Sequence, residues 1–197
     1  MVLAGGRNRR FGGAPKGLEI VGETRIVDHV ASALRTVTGE LLLVANNPDA
    51  ARWLPGVAVV SDAHRGAGGL AGVEAALGRG RDALVVAWDM PFITGDVLQL
   101  VIDSARGHDA DVALPESDSP YGLEPFCAYY AARVRERLTE FLDGGGGAAR
   151  EFLSRLARVH VIPVTEIDRL GHGRRLFFSV NTPHDLERAR AMANAAE

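Results

Sequence analysis

Short apolar runs alternate along the chain with longer segments in which apolar residues recur at helical spacing. The runs have the length and composition of strands buried on both faces, and the longer segments have those of amphipathic helices. In the first half, strands are predicted at 2–4, 41–45, 57–60 and 83–88, and helices at 24–35, 70–77 and 95–105. Thr24 is a candidate N-cap for the first of these helices. The alternation predicts an α/β fold of the Rossmann-like, doubly wound type, with a mostly parallel sheet and helices on both faces.

The second half is less regular but continues the same pattern. Strands are predicted at 111–114, 126–130, 159–164 and 177–180, and helices at 131–142, at 151–156 and from Pro183 to the end, with Thr182 as its N-cap. A polar loop, S-D-S-P-Y-G-L-E-P, separates the first two of these strands and is of a kind that contacts substrates. The run D-G-G-G-G at 143–147 has no evident use in an ordered core, which predicts a hinge or a mobile flap. Without an internal repeat or a linker, we expect a single domain over residues 1–197.

Composition narrows the class of protein. The 197 residues are 47% hydrophobic and 24% charged with a net charge of −3, which is typical of a globular chain without a nucleic-acid partner. No apolar run approaches about 18 residues and no signal pattern opens the chain, so we expect a cytoplasmic protein without a membrane partner. Cys127 is the sole cysteine, which fits a reducing compartment and excludes a cysteine-based zinc site. The six histidines have no metal-ligand spacing such as H-x-x-x-H.

A glycine-rich, basic loop follows the first predicted strand. Residues 3–16 read L-A-G-G-R-N-R-R-F-G-G-A-P-K. Glycines let the backbone approach a ligand so that several N–H groups face one anion, and the arginines and the lysine add positive charge. The spelling matches neither the dinucleotide fingerprint nor the Walker loop, since Lys16 is followed by glycine. The loop favours a bound triphosphate, and the alternative is an ordinary glycine-rich turn with solvated charges.

Lys16 is the only lysine among 22 basic residues. A chain that uses arginine everywhere else retains lysine where a compact ammonium is needed instead of a planar guanidinium. We therefore predict that Lys16 is a catalytic or phosphate-binding residue.

Polar side chains follow several predicted strands. Asn46, Asp62 and Asp89 each come directly after, or close to, a strand end, where parallel α/β sheets bind ligands. An aspartate in such a place is often only a helix cap or a turn residue. Asp89 is the stronger candidate because the six apolar residues 83–88 lead into it and Pro91 follows, and a carboxylate beside a polyanion suits Mg²⁺. No Ser-His-Asp or Cys-His arrangement suggests a protein nucleophile, so positioning and charge stabilisation at a nucleotide phosphorus are the predicted chemistry.

These motifs resemble those of a known family. L-A-G-G-R-N-R-R-F-G-G-A-P-K, G-L-A-G, D-M-P and V-N-T-P-H-D-L occur in the order and spacing of the molybdenum cofactor guanylyltransferases, and the resemblance spans the whole chain. It implies transfer of GMP from Mg·GTP to the terminal phosphate of molybdenum-loaded molybdopterin, with release of pyrophosphate. It also implies, as protein partners, a molybdenum-insertion protein and molybdoenzyme apoproteins or their chaperones.

The resemblance assigns roles to residues of this chain. Lys16 and Asp89 are the implied catalytic residues, and Asp89 is the implied Mg²⁺ ligand. Glu124 and Asn181 are implied on the acceptor side, near the pterin or the reacting phosphates. The implied nucleotide-binding residues are Leu3, Ala4, Gly5, Gly6, Arg10, Lys16, Asn46, Asp62, Gly72 and Asp89.

The chain departs from the family pattern at a few positions. The family has more residues before L-A-G-G, usually has proline where Gly69 stands, and usually has a small residue in place of Trp88. Two alternatives stay open at this point. One is a related nucleotidyltransferase that uses CTP or another acceptor, through cytidylyl transfer to molybdopterin, guanylyl transfer to a deazaflavin precursor, or nucleotidyl transfer to a sugar phosphate. The other is a nucleotide-binding regulatory module without turnover.

Overall fold

A seven-stranded sheet is the framework of the protein in a computed structural model, which describes residues 1–5, 11, 15–64, 66–119, 122–171 and 175–195. The strands are β1 (Val2–Leu3), β2 (Ile20–Val21), β3 (Thr24–Arg25), β4 (Leu42–Val44), β5 (Ala58–Val60), β6 (Ala83–Ala87), β7 (Val112–Pro115), β8 (Cys127–Tyr130) and β9 (Val159–Ile162). The helices are α1 (Ile26–Arg35), α2 (Gly69–Leu77), α3 (Gly95–Gly107), α4 (Arg135–Asp143), α5 (Ala149–Ser154), α6 (Val164–Asp168) and α7 (Pro183–Asn194).

The strand order in the sheet is β5-β4-β1-β6-β8-β7-β9. β5, β4, β1 and β6 run parallel to one another, as do β7 and β9. Only β8 is antiparallel to its neighbours in this sheet. The predicted doubly wound, mostly parallel α/β fold is confirmed, and the chain enters the sheet at its centre and winds outward on both sides.

The core lies on both faces of the sheet. Val2 belongs to the cluster that packs under α1 and α3, whereas Leu3, the next residue of β1, belongs to the cluster under α2, α4 and α5. This alternation follows from the period of two in a strand. None of the helices in the described ranges is both long and apolar enough to cross a bilayer.

The predicted helix at 24–35 was too long, and Thr24 is not its N-cap. Thr24 pairs with Val21, so that β2 and β3 form a hairpin around Gly22, which has φ +64°, and α1 begins only at Ile26. A two-residue turn with a left-handed glycine is the ordinary connection between such strands. The sequence V-G-E-T carried this signal.

Two other predicted elements also differ. The segment 131–142 is divided into a 3₁₀ turn at Ala132–Val134 and helix α4. The strand predicted at 177–180 is absent, because this described segment instead crosses the end of β6, where the Val180 N–H donates to the Asp89 carbonyl oxygen at 2.9 Å. The N-cap at Thr182 is confirmed, since its hydroxyl oxygen accepts from the Asp185 N–H at 3.1 Å.

The glycines at 144–146 pack against α4, contrary to the expectation that the run has no use in an ordered core. The N–H groups of Gly144 and Gly146 donate to the carbonyl oxygens of Glu140 and Phe141 and so end α4. A Cβ built at Gly146 would lie 2.5 Å from the Phe141 ring. Glycine is required there because the chain passes directly over that ring.

Candidate active site

A pocket of about 590 Å³ opens at the carboxyl ends of β4, β1 and β6. Its floor is formed by Leu3, the last residue of β1, and by Ala4 and Gly5, which follow it at the centre of the sheet. The other lining residues are Val44, Ala45, Asn46, Asn47, Trp53, Asp62, Gly66, Gly68, Gly69, Ala87, Trp88, Asp89 and Phe126. This is the edge at which parallel α/β sheets bind ligands. Five of the predicted nucleotide-binding residues therefore line one cavity with Asp89: Leu3, Ala4, Gly5, Asn46 and Asp62.

Lys16 and Asp89 form a buried ion pair beside this pocket. Lys16 begins the 3₁₀ turn Lys16–Leu18, and Asp89 follows β6 by two residues; each is 9% exposed. The Lys16 Nζ donates to Asp89 Oδ2, and it donates to Asn181 Oδ1 at 2.8 Å. The structure thus brings together three predicted site residues that are up to 165 positions apart.

Asn181 is held by several hydrogen bonds, including one from its own N–H to Asp185 Oδ2 at 3.1 Å. The preceding residue, Val180, is bonded to the Asp89 carbonyl oxygen, and the Asn181 Nδ2 donates to Ser179 Oγ at 2.9 Å. The amide oxygen of Asn181 is therefore directed at the ammonium of Lys16.

Asn46 and Asp62 hold each other across the ends of β4 and β5. The Asn46 Nδ2 donates to Asp62 Oδ2 at 2.7 Å, and the Asp62 N–H donates to Asn46 Oδ1 at 3.1 Å. Because the two bonds run in opposite directions, they fix both side chains. The other carboxylate oxygen, Asp62 Oδ1, has no hydrogen-bond partner among the described residues and is an available acceptor in the pocket lining.

Unpaired polar atoms are concentrated in this pocket. Among the described residues, five buried side-chain atoms have no hydrogen-bond partner, and three of them belong to residues that line it: Asp62 Oδ1, Trp88 Nε1 and Asp89 Oδ1. Buried polar groups in folded proteins are normally paired, so an unpaired cluster at a cavity indicates groups reserved for a ligand. The free Oδ1 of Asp89 also meets the requirement for a hard-cation ligand, since its other oxygen is engaged by Lys16.

A complete protein cage for a metal is not found in the described part of the chain. No group of three or more histidine, cysteine, aspartate or glutamate side chains there could hold an ion. The donor set suits Mg²⁺ that arrives with phosphates, because this ion commonly takes one or two carboxylates and completes its shell with substrate oxygens and water.

Glu124 is buried at 8% exposure, outside the set of pocket-lining residues. Its Oε1 accepts from Ser117 Oγ at 2.6 Å. Burial raises the pKa of Glu124 and the negative charge of Asp89 adds to this, whereas hydrogen bonds from Ser117 and Ser119 oppose it. The electrostatic interaction with Asp89 places Glu124 in the same neighbourhood as the ion pair.

Gly72 does not lie at the pocket. It is buried in α2, and a Cβ built on it would lie 2.3 Å from Leu3 Cδ1 and 3.3 Å from Val44 Cγ1. The structure shows a packing role for Gly72, because the absence of a side chain lets α2 approach the strands that carry the pocket. Its role as a direct nucleotide contact stays a prediction from the family resemblance. Gly6 and Arg10 lie outside the described residues.

Sequence reasoning missed the aromatic lining of the pocket. Trp53 and Trp88 stack with ring centroids 4.9 Å apart and an interplanar angle of 26°. Phe126 lies against Gly69, where a Cβ would come within 2.5 Å of its ring. The signal available for Trp88 was its position directly before Asp89; nothing in the local sequence pointed to Trp53.

Comparison with known proteins gives a consistent result. The family model described as MobA-like NTP transferase domain matches residues 1–160. A molybdenum cofactor guanylyltransferase from Desulfosudis oleivorans is 30% identical over 99% of this chain and 95% of its own length. A protein named "probable molybdenum cofactor guanylyltransferase" from Pelotomaculum thermopropionicum is 34% identical over 98% of this chain and 92% of its own length.

A solved structure agrees with these relatives. Molybdopterin-guanine dinucleotide biosynthesis protein A from Archaeoglobus fulgidus superposes with a TM-score of 0.84 at 28% identity, over 98% of this chain and 97% of that one.

Proposed function

This chain belongs to the family of MobA-like NTP transferase domains and is a nucleotidyltransferase, and we propose that it transfers GMP from Mg·GTP to the phosphate of molybdenum-loaded molybdopterin. An oxygen of the acceptor phosphate attacks the α-phosphorus of GTP, the bond from that phosphorus to the bridging oxygen breaks, and pyrophosphate leaves. The names of the relatives support this reaction. The molybdenum-insertion protein and the molybdoenzyme apoproteins or their chaperones stay predictions.

The observation that carries the proposal is the set of unpaired polar atoms around the pocket. Asp62 Oδ1, Trp88 Nε1 and Asp89 Oδ1 are buried without partners among the described residues. A polar ligand with both donor and acceptor groups would satisfy them. A nucleoside triphosphate with its cation has this character.

Lys16 is proposed to bind the phosphates and to stabilise negative charge on the departing pyrophosphate. An ammonium has three donors, and Asp89 and Asn181 take two of them. No described residue accepts the third N–H, which leaves it for a phosphate oxygen. Since the side chain is already held, little reorganisation is needed as charge develops, which is the basis of electrostatic preorganisation.

Asp89 is proposed to hold Mg²⁺ through Oδ1. When bound, the ion would neutralise phosphate charge and orient the leaving group. Asp89 also keeps Lys16 in place through Oδ2, so one carboxylate serves the cation and the ammonium together.

Asp62 and Asn46 are proposed to select the base. Guanine carries adjacent N–H donors, and the unpaired Oδ1 of Asp62 is an acceptor. Asn46 holds the carboxylate in orientation. Leu3, Ala4 and Gly5 would contact the nucleotide from the floor, and Gly6 and Arg10 are proposed nucleotide contacts from the family resemblance alone. Glu124 and Asn181 are proposed on the acceptor side.

Calorimetric titration with GTP, CTP and ATP, each with Mg²⁺ and with chelator, tests nucleotide choice. We expect Mg·GTP to bind most tightly and chelator to abolish the preference. Asp62→Asn should weaken GTP binding about tenfold or more, because the amide presents a donor or a poorer acceptor to the base. Asp103→Asn, the same change on an exposed residue of α3, is the matched control. Tightest binding of CTP would assign the chain to the cytidylyl alternative, and no nucleotide binding would contradict the proposal.

The cation assignment is tested separately with Asp89→Asn. This variant should fold and should lose the difference between GTP titrations with Mg²⁺ and with chelator. A Mg²⁺ dependence equal to that of the wild type would make Asp89 a structural residue only.

A further inference from the structure

We propose that Trp88 and Gly17 are a matched pair that positions Lys16, with the indole serving as the surface on which the Lys16–Leu18 turn rests. The inference rests on the proposed function, since it assigns the pair to the placement of the phosphate-binding ammonium. Gly17 and the six-membered ring of Trp88 act through Lys16, whereas Trp88 Nε1 keeps its separate place among the unpaired atoms of the pocket.

The contact between the two residues leaves no room for a side chain at position 17. Gly17 is buried, and a Cβ built on it would lie 2.3 Å from Trp88 Cε3, 2.5 Å from Cδ2 and 3.0 Å from Cζ3. Cβ atoms essentially never come within 3.0 Å of such neighbours. The backbone of the turn therefore sits directly against the six-membered ring of the indole.

Trp88 is held in place by its surroundings. It is 2% exposed, its ring stacks on that of Trp53, and its backbone N–H donates to the Leu3 carbonyl oxygen at 3.1 Å. Trp53 is itself tied to the N-terminus of α1, because the Arg25 Nη2 donates to its carbonyl oxygen at 3.1 Å. An added methyl at position 17 therefore meets a ring that cannot readily move aside.

The pair lies one residue from each member of the ion pair. Gly17 follows Lys16 and Trp88 precedes Asp89. The contact between the glycine and the indole therefore limits how closely the backbone of the Lys16–Leu18 turn can approach the backbone before Asp89. The opposite side of the ammonium is set by Asn181, whose neighbour Val180 is bonded to the Asp89 carbonyl oxygen. A change in the contact between Gly17 and Trp88 would therefore move the Lys16 ammonium relative to Asp89 and Asn181.

Lys16→Met provides the background that separates positioning from general packing. We would measure Mg·GTP affinity by calorimetry for Gly17→Ala and Trp88→Leu, each made in the wild type and in Lys16→Met, after checking by circular dichroism that each variant is folded. In the wild-type background each change should weaken binding about tenfold, which is within the range of coupling between residues in contact. In the Lys16→Met background Gly17→Ala should cost less than about twofold, because the group that it displaces is gone. Trp88→Leu should cost clearly less there than in the wild-type background, because only the contribution of Trp88 Nε1 is then lost.

The double variant Gly17→Ala/Trp88→Leu gives an independent measurement. The space left by the indole accommodates the new methyl, so this variant should bind Mg·GTP more tightly than Gly17→Ala alone, and its turnover should recover similarly. If Gly17→Ala does not fold, Trp88→Leu in the two backgrounds carries the test.

Equal losses of affinity in both backgrounds would overturn the inference, because the pair would then act through packing or through direct contact with the nucleotide. Wild-type protein that binds no Mg·GTP would overturn the proposed function and this inference with it. Wild-type binding together with background-independent losses would overturn the inference alone.

Discussion

Removal of charge from the Lys16–Asp89 pair is the change whose effect on stability the structure constrains most closely. Lys16→Met replaces the ammonium by an apolar side chain of similar length and leaves Asp89 buried. Asp89 Oδ1 has no partner among the described residues, so the carboxylate depends on Lys16 for its compensation.

The size of the effect follows from the burial of the pair. Loss of one partner of a buried ion pair typically costs about 3–5 kcal/mol. Asp89 lines a cavity that water can enter, which lowers the expected cost of Lys16→Met to about 2 kcal/mol of unfolding free energy, or roughly 4–8 °C in the midpoint of thermal unfolding. Asp89→Asn should cost about 1 kcal/mol, because Asn181 still accepts from the ammonium. In the double variant neither charge is left unpaired, and we expect most of the lost stability to return.

Urea unfolding of the wild type, both single variants and the double variant measures this coupling directly. The experiment is done without nucleotide or divalent cation, since ligands would add their own stabilisation. We expect a coupling free energy of about 2 kcal/mol. The exposed pair of Arg52 and Asp49, with side chains 85% and 63% exposed, is the matched control, and the corresponding cycle should give less than about 0.5 kcal/mol. Additive effects at Lys16 and Asp89 would refute the claim that the pair is desolvated and mutually dependent.

Three further predictions concern single residues. Lys16→Arg keeps the charge but places a planar guanidinium where an ammonium lies between two acceptors, so steady-state turnover should fall by about 10²-fold. Near-normal turnover would remove Lys16 from the mechanism. Burial raises the pKa of the Cys127 thiol, so maleimide should label the folded protein only after urea is added, and rapid labelling without urea would show that the thiol is exposed. The pKa of the Glu124 carboxyl is raised in the folded state, so ionisation of this group lowers the free energy of unfolding as the pH rises from its unfolded-state pKa through its folded-state pKa. Glu124→Gln removes this ionisation, so its free energy of unfolding minus that of the wild type, measured in urea between about pH 4 and pH 7, should increase with pH. A pH-independent difference would contradict this assignment.

The sequence was most informative where one residue carries a property that its surroundings do not. Lys16 stands out because it is the sole lysine, and Asp89 because a wholly apolar strand leads into it. Strand order places Asp89 at the carboxyl ends of the parallel strands, whereas Lys16 reaches it from the Lys16–Leu18 turn. The parallel arrangement itself was predictable from continuous apolar runs, which occur where both faces of a strand are buried.

The remaining features depend on contacts that the hydrophobic pattern does not report. The hairpin at Thr24 replaced a predicted helical turn because Gly22 adopts a left-handed conformation and lets β2 and β3 pair. The segment before Asn181 has strand-like composition but bonds to the Asp89 carbonyl oxygen. Gly72 was predicted as a ligand contact, although its small size serves the packing of α2 on β1. Periodicity reports none of these contacts, because the hairpin is decided by its local turn and the other two by partners far away in the chain.

Transfer of label from GTP to acceptor is the most direct test of the central claim. Purified protein would be incubated with Mg²⁺, GTP labelled at the α-phosphate and molybdenum-loaded molybdopterin, and both the labelled dinucleotide and pyrophosphate would be quantified. The account predicts that the two products form in equal amounts, that both require the acceptor and Mg²⁺, and that both fall by about 10²-fold in Lys16→Arg. Label incorporated from CTP instead of GTP, or no acceptor-dependent pyrophosphate at all, would contradict it.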